Sequence, residues 1–153
     1  MKSVIVLPSY NEKENIINLI TSIIKLNKNF SVIVVDDNSP DLTYEEVSNF
    51  KNNLPDEESQ RVQIIRRERK NGRGGAVWEG MRLAYKSDFA FENFIEMDCD
   101  FSHDPSYIED GLILLMNGND LVLGSRYPDG KIIGWPIKRR IISFFANLLV
   151  RIF

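Results

Sequence analysis

The sequence predicts an α/β protein with an open, mainly parallel sheet and helices on both faces. Three observations lead to this fold class. Short runs of apolar, mostly β-branched residues recur along the chain, as is typical of strands that are buried on both faces. Stretches with apolar residues at helical spacing lie between these runs. Polar or turn-forming residues follow the runs, so strands and helices alternate as they do in a sheet with crossover helices.

Five apolar runs predict five strands. They occupy residues 4–7, 32–35, 62–65, 94–97 and 121–123. Pro8 ends the first run, residues 36–40 form an acidic turn after the second, and Gly124 ends the fifth. In open parallel sheets ligands bind beyond the carboxyl ends of the strands, so the residues that follow these runs are the first place to look for a site.

The first two helices are predicted between the first three strands. Asn11 is expected to cap the first helix, with Glu14 three residues on in a capping-box pattern. The apolar stripe of this helix consists of Ile16, Leu19, Ile20 and Ile23. A polar helix is expected around residues 41–52, and the polar composition of residues 53–61 predicts a surface loop.

Two further helices are predicted around the fourth strand. Gly72, Gly74 and Gly75 precede the first of them. Its buried face is expected to consist of Val77, Met81, Ala84 and Tyr85. Pro105 suits the first turn of the next helix, because proline fits the start of a helix. The apolar stripe of that helix consists of Ile108, Leu112, Leu115 and Met116.

Composition and charge limit the class of protein. A chain of 153 residues with 43% hydrophobic and 27% charged residues suits one domain with a real core. The formal net charge of −3 argues against a nucleic-acid partner, although residues 66–73 and 138–140 are locally basic. The single cysteine fits a reducing compartment. Neither a secretory signal nor a spanning stretch of about 18–20 apolar residues is visible, so a cytoplasmic location is expected.

The pair Asp98 and Asp100 is the strongest chemical signal. Two carboxylates one residue apart after a buried strand repel each other unless a cation neutralises them. Hard oxygen ligands suit Mg²⁺ or Mn²⁺, and such sites complete their shell with substrate phosphates. The pattern therefore favours a metal–diphosphate site. A solvated acidic turn, with Asp104 capping the following helix, is the alternative.

Polar residues follow all five predicted strands and are expected to share one edge of the sheet. They are Tyr10-Asn11-Glu12, Asp36-Asp37, Arg66-Arg67, Asp98 with Asp100, and Ser125-Arg126. Tyr10 can stack on a base and Asp37 can accept hydrogen bonds from a nucleoside, but residues 36–39 equally suit plain turn chemistry. The glycines at 72–75 fit either a close approach to phosphate or tight helix packing. His103, the only histidine, suits a turn or cap role better than a zinc site.

Several segments together resemble family-two glycosyltransferases of the GT-A fold, and among these the dolichol- or polyprenol-phosphate mannose synthases. The segments are Pro8-Ser9-Tyr10-Asn11-Glu12, Val35-Asp36-Asp37-Asn38-Ser39-Pro40-Asp41, Met97-Asp98-Cys99-Asp100-Phe101-Ser102-His103-Asp104-Pro105 and Gly124-Ser125-Arg126-Tyr127. Gly134-Trp135 and the basic pair after it also look like that branch. The resemblance covers nearly the whole chain, in order.

The resemblance implies a role for each matching position on the donor side. The positions that would hold the nucleoside of GDP-mannose are Pro8, Tyr10, Glu12, Val35 and Asp37. Asp98 and Asp100 match the metal-binding pair, for Mg²⁺ or Mn²⁺. Cys99 would touch the donor through its backbone, and Ser102 stands where some members have a further metal ligand.

The resemblance also implies the reaction. A sugar, mannose from GDP-mannose, would pass with inversion to a polyprenyl or dolichyl phosphate. The residues implied in catalysis are Asp100, Arg126, which matches a phosphate-binding arginine, and Arg139, which matches a basic residue near the acceptor phosphate. A different donor such as UDP-glucose stays open. A catalytically incomplete nucleotide-sugar-binding module is the other alternative, because members of the family continue well beyond the position of Phe153.

The sequence is expected to divide into a nucleotide-sugar-binding domain, residues 1–136, and an amphipathic basic helix, residues 137–153. The apolar face of the helix consists of Ile137, Ile141, Phe144, Phe145, Leu148 and Ile152, and its polar face of Arg140, Ser143, Asn147 and Arg151. Such a helix either rests in a membrane interface, or packs on its own domain or continues into further sequence. The first reading predicts a peripheral protein on the cytoplasmic face of a membrane, with a possible protein partner that supplies anchoring.

Overall fold

The computed structural model describes residues 1–125 and 136–152. Its described residues form one four-stranded sheet. The strands are β1 (Ser3–Ser9), β2 (Phe30–Asp36), β3 (Val62–Arg66) and β4 (Asn93–Glu96). Their order across the sheet is β3-β2-β1-β4, and every pair is parallel. The helices are α1 (Ile16–Leu26), α2 (Thr43–Asn52), α3 (Asp56–Ser59), α4 (Arg73–Lys86), α5 (Tyr107–Met116) and α6 (Ile137–Ile152).

The core lies on both faces of the sheet, which confirms the predicted fold class. On one face, α1, α2 and α5 pack against the side chains of Ile5, Leu7, Val32 and Val34. On the other face, α4 packs against alternate residues of the same two strands, such as Val6 and Val35. Because β1 and β2 are apolar on both sides, they read as continuous runs in the sequence.

Helix α4 lies close to the sheet because its inner face carries small residues. Ala76, Gly80 and Ala84 are its buried positions. A Cβ atom on Gly80 would lie 2.5 Å from Cγ1 of Val6 and 3.0 Å from Cγ2 of Val35. The predicted face was wrong at Tyr85, which is exposed, because the buried line of the helix runs through Ala76, Gly80 and Ala84, and Tyr85 lies to one side of it.

The predicted cap of the first helix is wrong. Helix α1 begins at Ile16, and the backbone of Asn11 has a positive φ of 60°. The N–H of Asn11 donates to Oγ of Ser39 in the loop after β2. A tertiary contact therefore holds Asn11 in a turn ahead of the helix. The predicted loop at residues 53–61 also differs, since it contains the short helix α3.

The predicted fifth strand is wrong as well. Residues 121–123 form no strand, and the side chains of Leu121 and Leu123 are exposed. A strand requires a neighbour to pair with, and β4, the edge strand on that side of the described sheet, is only four residues long. The apolar composition of this run could not show that it lacks a neighbouring strand to form hydrogen bonds with.

Helix α6 begins at the predicted residue but does not pack on the sheet. Its large apolar side chains, including Phe144, Phe145 and Leu149, are exposed. The division of the chain at residue 136 and the role of this helix stay predictions. Within residues 1–125 and 136–152, no helix combines the length and the hydropathy that crossing a bilayer requires.

Replacing Gly80 with alanine is expected to lower the free energy of unfolding by about 1–3 kcal/mol, because the new methyl group overpacks the contact with the sheet. The better helix propensity of alanine, worth about 1 kcal/mol, offsets only part of this loss. Urea unfolding followed by circular dichroism measures the difference. Gly111→Ala in α5 is the matched control, since a Cβ there meets nothing within 4 Å, and it should not destabilise the protein. A Gly80→Ala variant as stable as the wild type would contradict the close packing.

Candidate functional site

The carboxyl ends of β1, β2 and β4 meet at one edge of the sheet, as predicted. The N–H of Asp37 donates to the carbonyl of Ser9 at 2.9 Å, which links the ends of β2 and β1. The thiol of Cys99 donates to the carbonyl of Pro8 at 3.4 Å, which links the segment after β4 to β1. Residues that are far apart in the sequence thus form one polar edge.

The carboxylate of Glu12 interacts electrostatically with the acidic residues of this edge. Burial raises the pKa of Glu12 above its usual value, and the negative charges of Asp100, Asp41 and Asp98 raise it further, against a hydrogen bond from Asn15 that lowers it. The edge is therefore electrostatically negative around Glu12. An incoming cation would be favoured here, since it would relieve this repulsion.

Buried polar contacts fix the loops after β1 and β2. The carboxylate of Asp36, fully buried, accepts the N–H and the hydroxyl of Ser39. Ser39 in turn accepts the N–H of Asn11, and Thr43 Oγ1 accepts the N–H of Glu12 at 3.1 Å. This network holds the segment that carries Glu12 against the start of α2. The turn chemistry considered for residues 36–39 is thus present, and its role is to position the β1 loop.

Asp37 anchors the basic loop that follows β3. Its carboxylate accepts a hydrogen bond from Nη1 of Arg67 at 2.7 Å. It also accepts hydrogen bonds from the backbone N–H groups of Asn71 and Gly72. The side chains of Arg67 and Asp37 are 10% and 5% exposed. The same guanidinium contacts Glu79 of α4 at 3.2 Å. Asp37 therefore already has three donors from the protein, and its predicted contact with a nucleoside stays a prediction.

The anchored loop brings a cation onto Tyr10. Nζ of Lys70 lies 3.4 Å from the centroid of the Tyr10 ring, a cation–π contact. Tyr10 itself is 37% exposed. An exposed aromatic ring beside an ammonium group offers a stacking surface next to a positive charge, which suits a nucleotide.

Arg73 neutralises the acidic cluster after β4. Its Nε donates to Oδ1 of Asp98 at 2.9 Å, and its Nη2 contacts both Asp98 and Glu96. On the other side of Asp98, His103 Nδ1 accepts the N–H of Asp98 at 3.1 Å, the turn role expected for this histidine. The counter-charge that the sequence analysis assigned to a metal is supplied for Asp98 by a guanidinium in this structure.

Asp100 is oriented by the turn that follows it. The hydroxyl and the N–H of Ser102 both bond to its carboxylate and hold the pKa of Asp100 below its usual range, although partial burial opposes them. Asp104 accepts the N–H of Ser106 in the turn ahead of α5, whose N-cap position is Ser106 and has no side-chain cap bond, so Asp104 does not cap the helix as the alternative reading predicted. The role of Ser102 as a further metal ligand stays a prediction.

The donor set fits a metal that is shared with a phosphate ligand. In the part of the chain that the structure describes, no three His, Cys, Asp or Glu side chains converge to hold a metal. Magnesium sites that serve nucleotides use one or two carboxylates and take the remaining oxygens from water and phosphate. Asp98 and Asp100 fit that kind of site, and they do not form a metal cage of their own.

Other predicted site residues have less direct positions. The side chain of Val35 is fully buried against α4, so only its backbone faces the edge. Cys99 is buried, and burial raises the pKa of its thiol. Arg126 lies outside the described residues. Arg139 lies on the exposed helix α6, and its role stays a prediction.

The sequence analysis missed the roles of four residues. These are Arg67, Lys70, Asn71 and Arg73, which contact Asp37, Tyr10 or Asp98. The available signals were the basic composition of residues 66–73 and the position of Arg66-Arg67 after the third predicted strand. They predicted positive charge near the strand ends but could not assign the partner of each residue.

An open parallel sheet with acidic side chains beyond its strand ends is a feature that GT-A folds share with other open α/β folds. The chain matches the model of glycosyl transferase family 2 over residues 4–149, and it belongs to that family. A crystal structure of S. aureus TarS 1–349 shares the fold, with a TM-score of 0.50 and 24% identity, over 73% of this chain and 33% of that one.

Two relatives match almost the whole chain. A dolichol-phosphate mannosyltransferase of Pyrococcus furiosus is 35% identical over 99% of this chain and 41% of its own length. A polyprenol monophosphomannose synthase of Mycolicibacterium smegmatis is 31% identical over 98% of this chain and 55% of its own length. The chain thus spans about half the length of these curated relatives.

Replacing Arg67 with methionine is expected to lower the free energy of unfolding by about 3–5 kcal/mol, because it leaves the buried carboxylate of Asp37 without its counter-charge. Urea unfolding at neutral pH is the measurement. Arg66→Met removes the same charge from the adjacent residue, whose pair with Glu45 is exposed, and should cost about 0–1 kcal/mol. Equal effects of the two variants would contradict the anchoring role. Adding Asp37→Asn to Arg67→Met should recover part of the loss.

Proposed function

We propose that the chain is the donor-binding part of a metal-dependent, inverting glycosyltransferase. The sugar is mannose from GDP-mannose, and the acceptor is a polyprenyl or dolichyl phosphate. One observation carries the proposal: contacts of Cys99 with Pro8 and of Arg73 with Asp98 bring the segments after β1, β3 and β4 together at the edge where open parallel sheets bind ligands. Membership of glycosyl transferase family 2 and the names of the two mannosyl-transferring relatives support it.

The nucleoside would bind between the ends of β1 and β2. Tyr10 offers an exposed ring face for stacking, and Lys70 beside it offers a positive charge to the phosphates. Asp37 holds the loop that carries Lys70, so its contribution includes positioning this ammonium group. None of these residues distinguishes guanine from uracil, so a UDP-sugar donor is the variant to test beside GDP-mannose.

The diphosphate would bind at Asp98 and Asp100. A divalent ion held by these carboxylates, Mg²⁺ or Mn²⁺, would neutralise the diphosphate and stabilise the departing nucleoside diphosphate. Ser102 bonds to the carboxylate of Asp100 and lowers its pKa, which favours the anionic form that a cation binds. An acceptor phosphate is already anionic at neutral pH and needs no strong base. It needs positive side chains close to the donor, the role we assign to Arg126 and Arg139.

Replacing Asp100 with alanine is expected to abolish Mn²⁺-dependent binding of GDP, because the pair of carboxylates that holds the ion is lost. Isothermal titration calorimetry of GDP with and without Mn²⁺ measures this. Asp104→Ala, in the same turn but engaged with the start of α5, is the matched control and should keep metal-dependent affinity. Unchanged metal dependence in Asp100→Ala would refute the assignment.

Product formation from labelled GDP-mannose and a short polyprenyl phosphate then separates the two candidate functions. Transfer that is lost in Asp100→Ala supports the enzyme. Metal-dependent binding of GDP-mannose without transfer supports a nucleotide-sugar-binding module that works with further protein. The same assay with UDP-glucose tests the variant donor.

Helix α6 supplies the proposed contact with the membrane that carries the lipid acceptor. It presents exposed apolar side chains such as Phe144, Phe145 and Leu148 beside basic residues, as interfacial helices do. Contact through this helix would bring the rest of the chain to the membrane surface as a peripheral protein. A protein partner that supplies anchoring would serve the same purpose.

Replacing Phe145 with aspartate is expected to reduce flotation with anionic liposomes by roughly tenfold or more, because a buried Phe contributes about 1.5–3 kcal/mol. Asn147→Asp adds the same charge to the polar face of the helix and should reduce flotation less. Sucrose-gradient flotation of the wild type and both variants measures this. Equal flotation of all three, or none by the wild type, would remove the membrane role of α6.

A further inference from the structure

Arg73 has a position that its own helix does not explain. It is the first residue of α4, where the aligned peptide dipoles already present positive partial charge, so a cation there is unfavourable. Its side chain is 52% exposed and has room to turn to solvent. Instead, the guanidinium lies against Asp98 and Glu96 at the end of β4. The acidic cluster, and not the helix, therefore determines where this side chain lies.

The contact with Arg73 occupies the carboxylate that a metal would need. Oδ1 of Asp98 accepts Nε at 2.9 Å, and Nη2 lies 2.9 Å from the same oxygen. Oδ2 of Asp98 lies 3.8 Å from Nε2 of His103. His103 accepts a backbone N–H at Nδ1, which assigns its ring hydrogen in the neutral form to Nε2. A cation can therefore use Asp98 fully only if the guanidinium leaves, because the two positive charges repel each other.

The ion pair is of a kind that can be exchanged. Asp98 and Glu96 are 38% and 33% exposed, and pairs between such half-exposed groups contribute little to stability. This distinguishes Arg73 from Arg67, whose buried pair with Asp37 is fixed. A guanidinium also binds phosphate oxygens in a two-point geometry.

We propose that Arg73 couples the binding of the divalent ion to the binding of the donor diphosphate. Without donor, Arg73 neutralises Asp98 and Glu96 and weakens metal binding. When a nucleoside diphosphate arrives, the guanidinium transfers to its phosphate oxygens, and Asp98 is released to the ion. The inference rests on the proposed function and adds to it a residue that positions the diphosphate and sets the order of binding.

Coupling of this kind is reciprocal, so each ligand must tighten the other by the same factor. The experiment measures Mn²⁺ affinity by electron paramagnetic resonance, with and without GDP, for the wild type and Arg73→Met. The wild type is expected to bind Mn²⁺ about tenfold or more tightly with GDP present. Arg73→Met should bind Mn²⁺ alone several-fold more tightly than the wild type and bind GDP more weakly. The factor by which GDP tightens Mn²⁺ binding should be smaller in this variant than in the wild type, because only the bonds between the metal and the phosphates still contribute to it.

Two variants control for charge and for folding. Arg69→Met removes one positive charge from the same loop, at an exposed position, and should leave the metal affinity near that of the wild type. Arg73→Lys keeps the positive charge but cannot form the bidentate contact of a guanidinium. Its affinity for Mn²⁺ should therefore lie between those of the wild type and Arg73→Met. Circular dichroism melts establish that each variant is folded, and Arg73→Lys serves as the test if Arg73→Met is not.

The outcomes separate this inference from the proposed function. If Arg73→Met and Arg69→Met bind Mn²⁺ equally while the wild type still binds Mn²⁺ and GDP together, Arg73 is a structural ion pair and only the coupling is refuted. If neither the wild type nor Arg73→Met binds Mn²⁺ with or without GDP, the donor site itself is refuted, and the coupling with it. Tighter metal binding and reduced coupling in Arg73→Met alone would establish the exchange.

Discussion

The parallel alignment of β1 with its two neighbours is the constraint on which the rest of the structure depends. Ser9 pairs with Asp36 on one side, and Val6 pairs with Glu96 on the other. Side chains alternate between the faces of a sheet, so a slip of one residue would exchange the side chains that pack against α4 with those that pack against α1, α2 and α5. The same register fixes which residues follow each strand at the common edge, and so it fixes the chemistry of the site.

Burial divides the charges of this edge into two groups. The deeply buried pair of Asp37 and Arg67 is held by several donors and serves the architecture of the loop. The half-exposed cluster of Asp98, Glu96 and Arg73 has fewer constraints, and water competes for each of its members. Electrostatic attraction is present in both groups, but only the exposed one can change partners at modest cost. Function is therefore expected where the fold leaves charges partly solvated.

Much of this arrangement could be predicted from the sequence, because it follows from local patterns. The four strands, the alternation with helices and the shared edge all follow from apolar periodicity and turn residues, and α6 begins where its stripe begins. The errors arise from contacts between distant residues. Asparagine is favoured at helix N-caps, but a hydrogen bond to Ser39, which is 28 positions away, holds Asn11 in a turn. The run at residues 121–123 has strand composition but forms no ladder. The ion pair between Arg73 and Asp98 could not be predicted, because no local pattern pairs these two residues.

Cys99 gives this edge a chemical property of its own. It is the only cysteine of the chain, it is 3% exposed, and its sulfur points at the carbonyl of Pro8. Burial disfavours the thiolate, the form that reacts with alkylating reagents. Modification can therefore occur only while the segment after β4 lifts away from β1. The rate at which a thiol reagent labels this single sulfur therefore reports how often the acidic edge opens. The measurement needs no engineered cysteine.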